Sequence, residues 1–103
     1  MDYENMSDFE INKLVAEAIG CTIHGKRQGN PIIDSFTGRA FDPCNNVNDA
    51  WPIITENKIG GHWGKASPGV YFAVSGLEEF VVMDKNPLRA AMIVYLMMQE
   101  QEK

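Results

Sequence analysis

The stretch Asn86-Pro87-Leu88-Arg89-Ala90-Ala91-Met92-Ile93-Val94-Tyr95-Leu96-Met97-Met98 constrains this chain more than any other. Asparagine before proline is a helix start: the Asn86 side chain can cap the first free amides, and Pro87 has no amide to leave unpaired. The pattern predicts a helix from about Pro87 to Gln101, roughly 22 Å long at 1.5 Å per residue. Between Leu88 and Met98 its only charge is Arg89. A helix apolar on nearly every side must be covered on more than one side. In a chain of 103 residues, one cover can be a sheet, and the other is expected to be the first helix or a second subunit. Met92, Met97 and Met98 suit an adaptable interface. Self-association through this last helix is therefore the expectation.

Two more helices are legible upstream. Ser7 and Glu10 are spaced as a capping box, with Met6 and Ile11 at the positions of a hydrophobic staple. Ile11, Leu14, Val15 and Ala18 then recur on one helical face, and Gly20 offers a stop. These signals predict a helix from about Asp8 to Ile19. The second helix lies within Asn46 to Asn57. Pro52 belongs in a first turn, which favours an onset at Asn48 or Asp49, although Val47, Trp51 and Ile54 line up from one turn earlier. Gly60-Gly61 is read as its end.

Strand signals fill the rest. His62 to Lys65, Gly69 to Ser75 and Phe80 to Met83 are runs separated by turn chemistry at Ala66-Ser67-Pro68 and Gly76-Leu77-Glu78. Residues 21–46 are dominated by loops: Cys21 to His24 reads as a short strand, Ile32-Ile33 and Ala40-Phe41 flank a turn-rich stretch without fixing a strand, and an edge strand is the most the segment adds. The expected class is α+β in one domain, residues 1–103: a small antiparallel sheet of three to four strands packed between helices, α/β/α sandwich-like, in the order α-(β)-α-β-β-β-α.

Charge narrows the function classes. Nine Lys and Arg against fourteen Asp and Glu give a net charge of −5, the wrong sign for coating duplex nucleic acid or for docking on an anionic membrane. The longest apolar run, nine residues from Ala90 to Met98, is far short of the roughly 20 that span a bilayer. The acidic opening lacks the basic and apolar regions of a secretory signal. Two cysteines are too few for a disulfide scaffold. A reduced, cytoplasmic setting is expected.

At Asp42-Pro43-Cys44-Asn45-Asn46, Asp49-Ala50-Trp51-Pro52-Ile53-Ile54 and the Asn86 to Met98 block, the chain resembles the NinX family of tailed bacteriophages. Ser7-Asp8-Phe9-Glu10-Ile11-Asn12-Lys13 and Val15-Ala16-Glu17-Ala18 carry the likeness into the first helix, so that it covers about residues 3–100. The Asp-Ala-Trp and Leu-Arg-Ala-Ala helices are more remotely similar to the phage α/β/α sandwich domain. The resemblance implies helices packed around a small antiparallel sheet. It also implies an accessory protein of unassigned function, encoded among dispensable early genes and acting in the infected host's cytoplasm.

Few residues point to chemistry. Cys21, His24, Cys44 and His62 could be assembled into a zinc set on paper, but the spacing is irregular and lacks a paired half-site. Cys44 with His62 and Asp42 or Asp49 lacks any framing motif for a nucleophile. Asp34 and Asp42 read as turn formers. Gly60-Gly61-His62-Trp63-Gly64-Lys65 has neither the spacing nor the hydroxyl residue of a phosphate loop. No metal, cofactor or catalytic residue is therefore assigned.

Two features stand out. Arg89 is a cation in the first turn of a helix, opposed to the dipole; either an acidic neighbour neutralises it, or it holds an anion together with the amides near Asn86. Asn45, Asn46, Trp51, His62 and Trp63 form a set of amides and aromatics. Trp51 lies on an apolar helix face, the usual place of a core residue, while the glycines around Trp63 leave it few local covers. Stacking on Trp63 and phosphate at Arg89 would suit a nucleotide-type signal, a small anionic ligand sequestered at a subunit interface. A protein-interaction module that inhibits a host protein is the alternative, and a small hydrolase the third reading.

Overall fold

The computed structural model describes residues 2–21, 23–24, 32–67, 70–74 and 80–101. Helix α1 runs Asp8–Ala18, and the Ser7 hydroxyl accepts from the Glu10 N–H at 3.2 Å. Its far end closes by backbone geometry. Gly20 takes φ +77°, which lets its N–H reach the Glu17 carbonyl at 3.2 Å and the Cys21 N–H reach Ala16 at 2.9 Å. This paired closure is the Schellman arrangement, which needs a left-handed residue and therefore favours glycine. Ile11, Asn12, Val15 and Ala16 face the core. A short 3-10 turn, Tyr3–Asn5, leads into α1 and buries Tyr3.

Strands β1 (Ile23–His24) and β2 (Ile33–Asp34) pair antiparallel as their own two-stranded sheet. Among the described residues this segment adds no fourth strand to the main sheet. Its turn is locally organised: the Asp34 carboxylate accepts from the Phe36 N–H at 2.8 Å.

Helix α2 spans Val47–Glu56 with Asn46 as its cap, accepting from the Asn48 N–H at 2.9 Å. It thus starts earlier than the Pro52 rule suggests, and the proline lies inside it. The bond that Pro52 cannot donate would have gone to the Asn48 carbonyl. Both residues are exposed, so water can satisfy that carbonyl, while burial of Ala50, Ile53 and Ile54 favours the helix. Gly60-Gly61 does not end the helix. Lys58 does, at φ +54°, with the Ile59 N–H on the Ile54 carbonyl at 3.0 Å.

Strands β3 (Gly60–Ser67), β4 (Val70–Val74) and β5 (Val81–Asp84) make an antiparallel sheet in the order β3-β4-β5. The β4–β5 register is unbroken, whereas β3 slips against β4 between His62 and Ser67. Helix α3, Pro87–Gln101, is the centre of the molecule. Every residue from Arg89 to Leu96 is buried, and α3 packs against α1 and α2 as well as β4 and β5. The mixed α+β class is as expected, but the layers meet through α3 rather than around the sheet. The apolar helix is covered by its own chain from Arg89 to Leu96, while Leu88, Met97 and Met98 are only partly buried.

Candidate functional site

The starts of α1, α2 and α3 converge, and Arg89 lies among them. Asn86 caps α3: its side-chain oxygen accepts from the Leu88 N–H at 3.0 Å and the Arg89 N–H at 3.3 Å. The Asn86 amide group donates to the Cys44 carbonyl and to the Asn45 side chain. Asn45 in turn donates to Asp8 and Asp42, each at 3.2 Å. Asn12, a polar residue on the buried face of α1, donates to Asp42 at 2.6 Å and accepts from the Cys44 N–H at 3.1 Å. One network of amides and carboxylates therefore fastens the first turns of three helices together.

Arg89 is neutralised from within. Its Nε donates to Asp8 at 3.0 Å, one terminal nitrogen donates to Asp84, and the other reaches the Tyr3, Glu4 and Met6 carbonyls. Only 11% of its side chain is exposed. Five acceptors of this protein surround the guanidinium, three of them on one terminal nitrogen. The negative charge that answers this cation at a helix start is the protein's own pair of aspartates, Asp8 and Asp84. The reason to assign Arg89 and the Asn86 amides to a phosphate weakens accordingly: the guanidinium charge is already matched by Asp8 and Asp84, and the Leu88 and Arg89 amides are bonded to Asn86.

The remaining candidates separate. Asn45 belongs to the network, and Asn46 is occupied as the α2 cap. His62 and Trp63 lie on β3, His62 paired in register with Phe72; their side chains lie outside the described residues. Trp51 is not a core residue. It is 54% exposed, one helical turn from Val47 at 53%. At about 100° per residue, Ile53, Ala50, Ile54, Val47 and Trp51 fill an apolar arc of about 160°. The core covers the part holding Ala50, Ile53 and Ile54 and leaves Val47 and Trp51 as an apolar edge.

Two clefts flank these elements. One, of about 490 Å³, lies between the β2 turn and the start of α2; it is lined by Arg39, Asn46 and Asn48 but also by Asp34 and Asp49. The other, of about 480 Å³, lies beside Tyr3 with Glu17 and Glu100 on its walls. Carboxylates in both oppose an anionic guest. Burial, then the charges of Asp8 and Asp42, pushes the Cys44 thiol far up. A protonated, fully buried thiol is no nucleophile. Among the described residues, no group of three or more His, Cys, Asp or Glu is placed to hold a metal.

Sequence reasoning found Arg89, Asn45 and Asn86 but missed Asp8, Asn12, Asp42 and Asp84 as their partners. Asp84, five residues before Arg89, was the readable signal; the rest come from distant parts of the chain. The outcome is a small α+β domain built round a central helix, its polar chemistry turned inward and an apolar helix edge turned outward. Residues 2–99 match the family described as Bacteriophage P22, NinX, and the chain belongs to that phage accessory family. No curated protein and no solved structure matches it.

Proposed function

We propose that this phage accessory protein works by docking on another protein through the exposed edge of α2, within the infected host's cytoplasm and without catalysis. The observation that carries the reading is Trp51, half exposed beside Val47 on a helix whose apolar arc is wider than the core beneath it. Tryptophan is the side chain most enriched among the residues that dominate protein interfaces, because it places a large rigid apolar surface in one pocket. The surroundings define the partner. Helix α2 carries Asp49 and Glu56 and no Lys or Arg, on a chain of net charge −5. The complementary surface is a protein pocket, apolar at its floor and rimmed by Lys and Arg.

A nucleotide-type ligand fits less well, since the cation it needed is engaged inside the fold. The test is capture from infected cells with wild type and Trp51→Ala in parallel, followed by titration of the purified pair. Trp51→Ala should weaken binding at least about 30-fold, the equivalent of about 2 kcal/mol, and leave the unfolding curve unchanged. Wild-type affinity should fall with added salt, as rim charges are screened. A partner held equally well by Trp51→Ala would contradict the reading. So would thermal stabilisation by cyclic or linear nucleotides.

A further inference from the structure

We propose that the free edge of β5 pairs antiparallel with β5 of a second copy, joining two sheets into one across a two-fold axis. Strand β5 ends the β3-β4-β5 order, and among the described residues no strand pairs with its outer edge. Soluble proteins usually guard such an edge with lysine, proline or a bulge. Within β5 there is none of these, its residues being Val81, Val82, Met83 and Asp84 in unbroken register with β4; the exposed Lys85 lies just past its end. At the opposite margin of the sheet, β3 carries the register irregularity that β5 lacks.

Two further observations favour a second copy over any other occupant. Val81 is 56% and Met83 55% exposed, while Val82 between them is buried. In an antiparallel pair, directly opposed residues share a face. Pairing centred on Val82 therefore sets Val81 of each copy against Met83 of the other, so the strand is self-complementary. The charge is also managed. Asp84 is bonded to Arg89 and accepts from the Asn86 N–H at 3.0 Å within its own chain. The two aspartates then fall at opposite ends of the paired strands. These same bonds fix the end of β5 beforehand, which lowers the ordering cost of association.

Four residues at about 3.4 Å each make a short interface, well below the roughly 1,200 Å² of stable complexes. The dimer is accordingly weak, half formed on the order of 100 µM. Sedimentation equilibrium from about 10 µM to about 1 mM tests this, with Val81→Lys, Met83→Lys and Trp51→Ala beside wild type. Wild type and Trp51→Ala should dimerise alike, the lysine variants should stay monomeric with unchanged circular dichroism, and wild-type exchange of the Val81 to Asp84 amides should slow with concentration. A wild type monomeric throughout overturns the proposal. A dimer that survives both lysine variants, or one lost only in Trp51→Ala, does the same.

Discussion

Replacing Arg89 with methionine keeps the length and apolar stem of the side chain and removes the charge from the junction of three helix starts. Two aspartates then lose their cation and three carbonyls lose a donor. The two ion pairs do not contribute equally. Asp8 is 44% exposed and Asp84 18%. Water can take over most of the first, leaving a loss near the roughly 0.5 kcal/mol of a surface pair. Asp84 recovers little, and a hydrogen bond to a charged group is worth about 1.5–3 kcal/mol. Loosening of the Tyr3 to Met6 segment adds about 1 kcal/mol for the lost carbonyl bonds. The expected cost is about 3–4.5 kcal/mol, a large share of the 5–15 kcal/mol typical of a domain, and a fall in melting temperature of about 12–36 °C. Urea unfolding followed by circular dichroism measures it. Asp84→Asn combined with Arg89→Met should be less damaging than the two separate losses together, with a coupling of about 1–3 kcal/mol. A loss under about 1 kcal/mol, or strict additivity, would refute the claim that Arg89 is an internal clamp.

Lys58→Gly should stabilise the fold by about 0.5–1 kcal/mol in the same assay, because the end of α2 requires a left-handed residue and Lys58 supplies it under strain at φ +54°. In native protein an aromatic disulfide reagent should titrate one thiol of two, slowly: Cys21 is partly exposed with its thiol pushed up by burial and by Asp34, and Cys44 is buried. Reaction of both before unfolding would contradict the core as described. Burial, then the hydrogen bond to Glu100 and its charge, pushes the Tyr3 phenol up to about 12. The fold thus favours the neutral phenol, a contribution complete below the ordinary value of 10 and lost as pH rises towards 12. Tyr3→Phe should lose stability less steeply than wild type across that interval, and ultraviolet titration should lose a late-ionising component in that variant.

What the sequence disclosed follows the range of the forces involved. Both ends of α1 were legible because Ser7, Glu10 and Gly20 act within one turn. The start of α2 was misjudged because proline is a local rule, and it was overridden by burial of Ala50, Ile53 and Ile54 with the unsatisfied Asn48 carbonyl left facing water. For α3, the need for cover on more than one side was readable from composition, with the first helix as one source, but not that α2 packs against it as well. Arg89 was recognised as anomalous from its position alone. Its resolution was not readable, since Asp8 lies 81 residues away and only the folded topology brings the two together. Trp51 shows the converse: periodicity placed it on the apolar face, but the width of the core beneath that face is a tertiary property.

A chemical-shift map of the isotope-labelled chain tests the proposed docking edge of α2 directly. Titration with the purified partner should move the Val47 amide and the Trp51 indole N–H, while the Arg89 Nε–H stays where it is in the free protein. Shifts gathered at Asp8, Asn45 and the Arg89 guanidinium, with α2 unmoved, would contradict it.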